Sequence, residues 1–147
     1  MANVKISQLT AKGSNLVASD RFAIAQDAGG GTFASKYITG AEIVTKNINT
    51  YSSTLNNLVL ADANKIIKVD NNMANDLRIP TNTSHAFPIG TEIIIIQYGT
   101  GQTTVAPTAT VTMRSNGGKN KLLAQYAQAT LIKIDTNEWV LSGDITT

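Results

Sequence analysis

The sequence predicts a mainly β protein, and three observations support that prediction. The chain is rich in threonine and isoleucine, with 19 and 16 residues, and these β-branched side chains favour pleated sheets. It also has 14 asparagines and 11 glycines, which favour turns. Short apolar runs alternate with turn residues through its second half, as in sandwiches and barrels. We therefore expect an antiparallel β-sandwich or barrel-like domain, preceded by an N-terminal β-hairpin and a short helix.

Composition and charge argue against several functional classes. The 12 basic and 10 acidic residues give a net charge of +2, and the basic residues are scattered, so we expect no nucleic-acid partner. Without cysteine, the chain can form neither disulfides nor thiolate metal sites. The longest aliphatic run, Ile93 to Ile96, is far shorter than the ~20 residues of a spanning helix, and the N-terminus lacks the apolar core of a signal peptide. We expect no membrane insertion, and folding in the cytosol.

Residues 1–50 are expected to form an attachment segment that begins with the β-hairpin. Phe22 and Ile24 alternate along a predicted strand over 20–26, which places both side chains on one face. Three consecutive glycines then supply a turn, and a returning strand is predicted over 32–38.

A short helix is predicted directly after the hairpin. Thr39 and Glu42 are spaced as in a capping box, in which the hydroxyl and the carboxylate each accept a hydrogen bond from a free backbone N–H. The helix should run over about 40–49 and bury Val44 and Ile48.

The remaining chain is expected to form a connector and one β-rich domain. Residues 51–64 are rich in serine and asparagine around three leucines, which favours a connector that touches a core. Residues 65–147 are predicted to be a succession of short strands separated by turns. The predicted strands cover 65–69, 76–79, 91–98, 103–106, 111–114, 121–123, 130–135 and 138–142.

The predicted strand over 91–98 has the most informative pattern in the chain. Because side chains alternate along a strand, Ile93 and Ile95 should point to one face and Ile94 and Ile96 to the other. A strand in a small antiparallel sandwich normally has one face in water. The second apolar face therefore needs a cover, either a loop or helix of the same chain or another subunit. Under the second alternative, Ile94 and Ile96 lie at an oligomer interface.

The sequence indicates no catalytic site. His85 is the only histidine, so at most one imidazole is present for acid–base chemistry. Ser84 is its neighbour in sequence, a position from which we do not expect the hydroxyl to align with the imidazole, and no Gly-x-Ser-x-Gly elbow occurs. We therefore expect His85 to be a loop residue, no residue to be catalytic, and the protein not to be an enzyme.

Two further segments match ligand-binding loops only in part. The segment 70–76 is rich in aspartate and asparagine but lacks the central glycine and the distal glutamate of a calcium loop. The segment 99–104 lacks the third glycine of a phosphate loop and leads into a strand pattern, so we expect a hairpin loop there. The sequence therefore predicts no metal site and no cofactor.

Segments in both halves of the chain resemble bacteriophage fibre proteins. The opening segment 5–9, followed by the segment 19–26, resembles the N-terminal segment of many phage fibre and virion proteins. The segments 87–107 and 129–144 look like a β-rich domain that is common in phage tail and head fibres.

The resemblance implies a structural role in a phage particle, as a short head fibre or a capsid decoration subunit. It implies an N-terminal segment that docks on other capsid or tail proteins, with Ile6, Leu9, Phe22 and Ile24 as the expected attachment residues. It further implies self-association as a homotrimer. The expected location is a virion that is assembled in the cytoplasm of the bacterial host.

A second function class is the alternative. A tail-fibre or receptor-binding tip module would bind a host surface carbohydrate, with Tyr126 or Trp139 and loop amides lining a shallow site. The aromatic content of 5% argues against this alternative, and a tryptophan within a strand more often packs in a core.

Overall fold

The computed structural model describes the backbone of residues 21–27 and 33–39 and all of residues 45–147. The chain divides into two compact units, Met1–Thr45 and Lys46–Thr147. In the first unit, β1 (Arg21–Asp27) and β2 (Phe33–Thr39) pair antiparallel along their whole length. The two strands predicted for the hairpin are therefore confirmed as an antiparallel pair.

The predicted helix after the hairpin is wrong where the structure describes it. Thr39 is the last residue of β2, and the segment 40–44 lies outside the described residues. The last part of the predicted helix instead belongs to β3 (Ile48–Tyr51), which pairs with a later strand. Ile48, expected in the core, is 61% exposed. Sheet pairing overrides the weak local preference that a capping pattern provides.

Short strands are the main regular elements of the second unit. All eight strands predicted for residues 65–147 are confirmed, with small shifts at their ends. Residues 51–64, for which the sequence predicts a connector, supply one strand and a single 3-10 turn at Leu60–Asp62. After β3, the strands are β4 (Leu55–Asn57), β5 (Ile66–Val69), β6 (Asn75–Ile79), β7 (Glu92–Gln97), β8 (Thr103–Pro107), β9 (Thr112–Ser115), β10 (Lys121–Leu122), β11 (Gln128–Asp135), β12 (Glu138–Gly143) and β13 (Ile145–Thr146).

The strands of the second unit form two mixed sheets. The six-stranded sheet has the order β3-β5-β7-β11-β12-β9, and the five-stranded sheet has the order β13-β10-β8-β6-β4. From β3 to β8 the chain alternates between the sheets, so that β3, β5 and β7 are parallel, as are β4, β6 and β8. We term each pair, β3 with β4, β5 with β6 and β7 with β8, a rung. The expected antiparallel arrangement is wrong between successive rungs, whose strands pair parallel. It is confirmed where β11 pairs with β7 and β12.

One apolar core lies between the two sheets. Ile67 and Ile95 project into it from the six-stranded sheet, and Leu77 and Val105 project from the five-stranded sheet, all of them fully buried. Trp139 of β12 joins the same core at 1% exposure, as predicted for a tryptophan within a strand. The second unit therefore has two mixed sheets that bury its largest apolar side chains between them.

Glycines at the corner between β7 and β8 allow the rungs to stack closely. The Gly101 N–H donates a hydrogen bond of 2.9 Å to the carbonyl of Asn71, which lies in the corner of the preceding rung. A Cβ atom at Gly101 would overlap the backbone of Met73, and one at Gly99 would overlap the backbone of Asn71. The hairpin loop predicted at 99–104 is wrong, because this corner joins strands of different sheets.

Candidate interaction surface

The outer face of the six-stranded sheet carries a row of aliphatic side chains. Strand pairing places Ile66 beside Ile94, and Ile94 beside Thr130, so that their side chains line up across three strands on the side away from the core. We define the outer face by its aliphatic members. They are Ile48, Ile66, Ile94, Ile96, Ile132, Ile134 and Val140.

Ile94 and Ile96 occupy the middle of the outer face. Their strand, β7, is flanked by β5 and β11, and it alternates between half-buried and buried positions, with Ile93 and Ile95 at 0% exposure. The predicted division of the four isoleucines between two faces is therefore confirmed. The interface role of Ile94 and Ile96 stays a prediction.

The charged side chains of the outer face are held in ion pairs. The pairs are Lys46 with Glu92 and Lys68 with Asp70, both at 2.9 Å, and Arg114 with Glu138. Lys68 lies directly beside Ile96, and Glu92 lies directly beside Ile132. Within residues 45–147, the charged residues of this face therefore lie among its aliphatic side chains, and their charges are compensated within the subunit.

The outer face of the five-stranded sheet is polar by contrast. Its central strand β8 alternates between buried and half-buried residues and turns Thr104 outward, next to Asp76 of β6. Asp76 forms an ion pair of 3.4 Å with Arg78 on the same strand. Polar residues are usual on a sheet face in water, so the aliphatic residues on the six-stranded sheet distinguish its outer face from that of the five-stranded sheet.

The outer face is large enough for a protein contact. Six strands about 4.8 Å apart span about 24 Å, and a strand of six residues is about 20 Å long. The resulting area of about 500 Å² is that of the whole face. It includes polar and charged residues such as Lys68, Glu92 and Thr130, so its apolar part is smaller. Because a standard interface buries about 800 Å² on each partner, the outer face and its rim would supply most of one.

The residues expected to attach the chain to a particle are only partly described. Ile6 and Leu9 lie outside the described residues. Phe22 and Ile24 lie in β1, where they pair with Ile38 and Lys36 of β2. Their attachment role stays a prediction.

The buried carboxylate of Asp62 lies at the first rung, where the apolar core ends. Asp62 is 0% exposed and accepts hydrogen bonds from Asn49 Nδ2 at 2.7 Å, the Tyr51 hydroxyl at 2.8 Å and the Val59 N–H at 2.8 Å. Asn49 holds the position that Ile67 holds in the next rung, so the apolar core ends here. Burial, together with the hydrogen bond to Asp62 and its negative charge, raises the pKa of Tyr51 well above its usual range.

A buried lysine fixes the loop 80–91 to the six-stranded sheet. Lys133 is 2% exposed, and its Nζ donates hydrogen bonds to Asn82 Oδ1 at 2.6 Å and to the Phe87 carbonyl at 2.7 Å. Phe87 also packs edge to face against Trp139, with 5.5 Å between the ring centroids. Burial lowers the pKa of Lys133. The hydrogen bonds of the ammonium group to the loop give this lysine a structural role.

Ser84 and His85 are closer together than we expected from the sequence. Ser84 Oγ lies 2.9 Å from His85 Nδ1, so the expectation that the hydroxyl would not align with the imidazole is wrong. A tight turn brings them together, because the N–H groups of both residues donate to the carbonyl of Thr81, at 3.0 and 2.9 Å. The loop position predicted for His85 is confirmed.

Two exposed tyrosines form a pair at one end of the outer face. Tyr98 and Tyr126 are 46% and 67% exposed, and their rings meet edge to face with 5.9 Å between centroids. Lys68 Nζ lies 3.8 Å from the centroid of the Tyr98 ring. Tyr126 was predicted from the sequence as a possible ligand contact and Tyr98 was not, because only the pairing of β7 and β11 brings the two rings together. Trp139, the other aromatic residue predicted for such a site, is buried in the core.

The described part of the chain contains neither a metal-ligand cluster nor a membrane-spanning helix. It has no group of three or more acidic or histidine side chains that could hold a metal ion. In the segment 70–76, Asn71 Oδ1 accepts from the Met73 N–H and Asn72 Oδ1 accepts from Thr100, so these oxygens stabilise the corners. Among the same residues, no helix has the length and apolarity needed to cross a bilayer.

Comparison with known proteins does not identify a relative. The chain matches no protein-family model and no curated protein.

Proposed function

We propose that the chain is a structural subunit of a bacteriophage particle, as a short head fibre or a capsid decoration protein. Residues 1–50 dock on other proteins of the particle, and the β domain self-associates as a homotrimer through the outer face. The observation that carries the proposal is the row of aliphatic side chains on that face, with Ile94 and Ile96 in its middle.

The physical case for self-association is the removal of this apolar surface from water. Burial contributes about 25 cal/mol for each Å² of apolar surface, and Ile132 and Ile134 alone are 37% and 46% exposed. Charges that must leave water usually oppose association. Here Glu92 and Lys68 are already paired within the subunit, so that less unpaired charge has to be covered.

Two buried charged groups of the domain have structural roles. Asp62 accepts three hydrogen bonds at the first rung. Lys133 holds the loop 80–91. His85, which is half-buried, hydrogen-bonds to its neighbour Ser84 in a turn of that loop. These contacts support a structural role for the three residues.

Assignment to a phage particle rests on the resemblance of the segments 5–9 and 19–26 to virion proteins. The test is electron microscopy of purified virions of the phage that encodes the chain, with gold-labelled antibody raised against the β domain. We expect label at regular positions on the capsid. Label confined to the tail tip would favour the tail-fibre alternative, and virions that carry no label would contradict a structural role.

A further inference from the structure

We propose that Asn116 is a site of spontaneous covalent modification, at which attack by the backbone nitrogen of Gly117 converts the side-chain amide to a carboxylate. The inference goes beyond the structural role proposed above and does not depend on it. It starts from the turn that follows β9, in which Asn116 and the two glycines after it are all exposed. Of the 14 asparagines in the chain, Asn116 alone precedes a glycine.

The reaction requires only these two residues and water. The Gly117 nitrogen gives its proton to water or hydroxide and attacks Cγ of Asn116, so that a C–N bond forms and the Cγ–Nδ2 bond breaks. The side-chain nitrogen takes up a proton and leaves as ammonia, and a five-membered succinimide ring remains. Water then opens the ring. Opening at Cγ yields aspartate, and opening at the backbone carbonyl carbon yields isoaspartate, whose main chain runs through the former side chain.

Gly117 leaves its nitrogen accessible to this reaction. It has no Cβ atom beside the nitrogen, and a Cβ atom built there would meet nothing within 4 Å. Gly117 and Gly118 both have a φ of 68°, a conformation that glycine adopts without steric cost. Two consecutive glycines also let the backbone rotate more easily than other residues would, which helps the nitrogen to approach Cγ.

The Asn116 side chain is free to turn toward that nitrogen. Within residues 45–147 its amide group forms no side-chain hydrogen bond. The amide groups of Asn71, Asn75 and Asn137, in contrast, are held by hydrogen bonds to the main chain. Asn116 therefore loses no hydrogen bond when it reacts.

Asn57 shows that an exposed asparagine does not meet these conditions by exposure alone. It is exposed like Asn116, but the next residue, Leu58, is fully buried. The Leu58 N–H donates a hydrogen bond of 3.0 Å to the Arg78 carbonyl. This nitrogen is held in the sheet and lies beside a branched side chain, so it cannot attack Asn57 while the domain is folded. Asn57 therefore serves as an internal reference.

The product places a negative charge where the chain can compensate it. Asn116 lines a cavity together with Arg114 and Lys119, and the described residues around this cavity include no carboxylate. Arg114 is paired with Glu138, but Lys119 forms no ion pair within residues 45–147. A carboxylate at position 116 can therefore pair with Lys119. We expect the modified chain to stay folded, and the modified fraction to increase with the age of the protein.

The test follows residue 116 by mass spectrometry while the full-length chain is kept for several weeks in mildly alkaline buffer below its melting temperature. Digestion at acid pH prevents further reaction, and electron-transfer fragmentation distinguishes aspartate from isoaspartate. Gly117→Ala adds a methyl group beside the attacking nitrogen. Gly118→Ala is the matched control, because Gly118 has the same φ and the same open space but does not supply that nitrogen.

We expect the wild type and Gly118→Ala to be modified at residue 116 at similar rates, and Gly117→Ala about tenfold more slowly or worse. Asn57 should stay unmodified, and the circular dichroism of the modified wild type should not change. Two results would overturn the proposal: an Asn116 that survives the incubation in the wild type, or a Gly117→Ala variant that reacts as fast as Gly118→Ala. Equal modification of Asn57 would also overturn it, because it would assign the reaction to unfolded chains. The molar mass of the same samples reports on self-association, so the two proposals can fail separately.

Discussion

Tyr51 is expected to make the stability of the protein fall at alkaline pH. Its pKa is raised above the usual 10.0 by burial and by its contact with Asp62, so the folded state keeps the phenol proton where the unfolded state loses it. This contribution is fully present below about pH 10 and is lost as the pH rises further. Tyr51→Phe should lower the free energy of unfolding by about 1 kcal/mol near pH 8, and by less near pH 11. Urea titrations that give the same difference at both pH values would contradict this prediction.

Lys133 is the residue that fixes the loop 80–91, and its loss should destabilise the protein. Lys133→Met leaves Asn82 Oδ1 and the Phe87 carbonyl without their donor. We expect the free energy of unfolding to fall by about 2 kcal/mol, because hydrogen bonds to a charged group are among the stronger ones. Lys121→Met, on the polar face of β10, is the control and should change it by less than about 0.5 kcal/mol. Equal effects in urea denaturation would show that the buried ammonium group does not anchor the loop.

At the scale of the elements, the stacking of the corners depends on glycine. Gly101→Ala would place a Cβ atom on the backbone of Met73, so the two corners would have to separate. We expect a loss of about 3 kcal/mol or more in the free energy of unfolding. Gly117→Ala is the control, since Gly117 has a φ of 68° but open space around it, and should cost about 1 kcal/mol. If thermal unfolding showed equal losses, the close approach of the corners would not matter for stability.

The strands of the second unit could be predicted from the sequence, but their pairing could not. Alternating apolar residues and the turn residues between them are local signals, and they located β5 to β12. Whether a turn returns the chain to the same sheet or passes it to the opposite sheet is decided by distant contacts, such as that between Gly101 and Asn71. The rungs also show no fixed period in the sequence, because the loop 80–91 lengthens one of them. The capping pattern of Thr39 and Glu42 likewise predicted a helix over residues that form β3, a strand that pairs with β5.

At the scale of the whole molecule, the two outer faces differ in a way that the sequence predicted only in part. The run of four isoleucines revealed that one strand has two apolar faces. The sequence did not reveal that β11 and β12 extend the aliphatic row through Ile132 and Val140, because that requires the register between them. The Tyr98–Tyr126 pair and the Asp62 cluster escaped prediction for the same reason. Each joins residues from different segments, and no single segment carries a recognisable pattern.

The molar mass of the full-length protein tests most directly whether the outer face joins copies of this chain. Light scattering after size exclusion would compare the wild type with Ile94→Asp and with Thr104→Asp, a control on the polar face of the central strand β8. A carboxylate at position 94 would be buried without a partner in the assembly. We predict trimers for the wild type and Thr104→Asp, and monomers with unchanged circular dichroism for Ile94→Asp. A wild-type chain that stays monomeric from micromolar to millimolar concentration would contradict the claim.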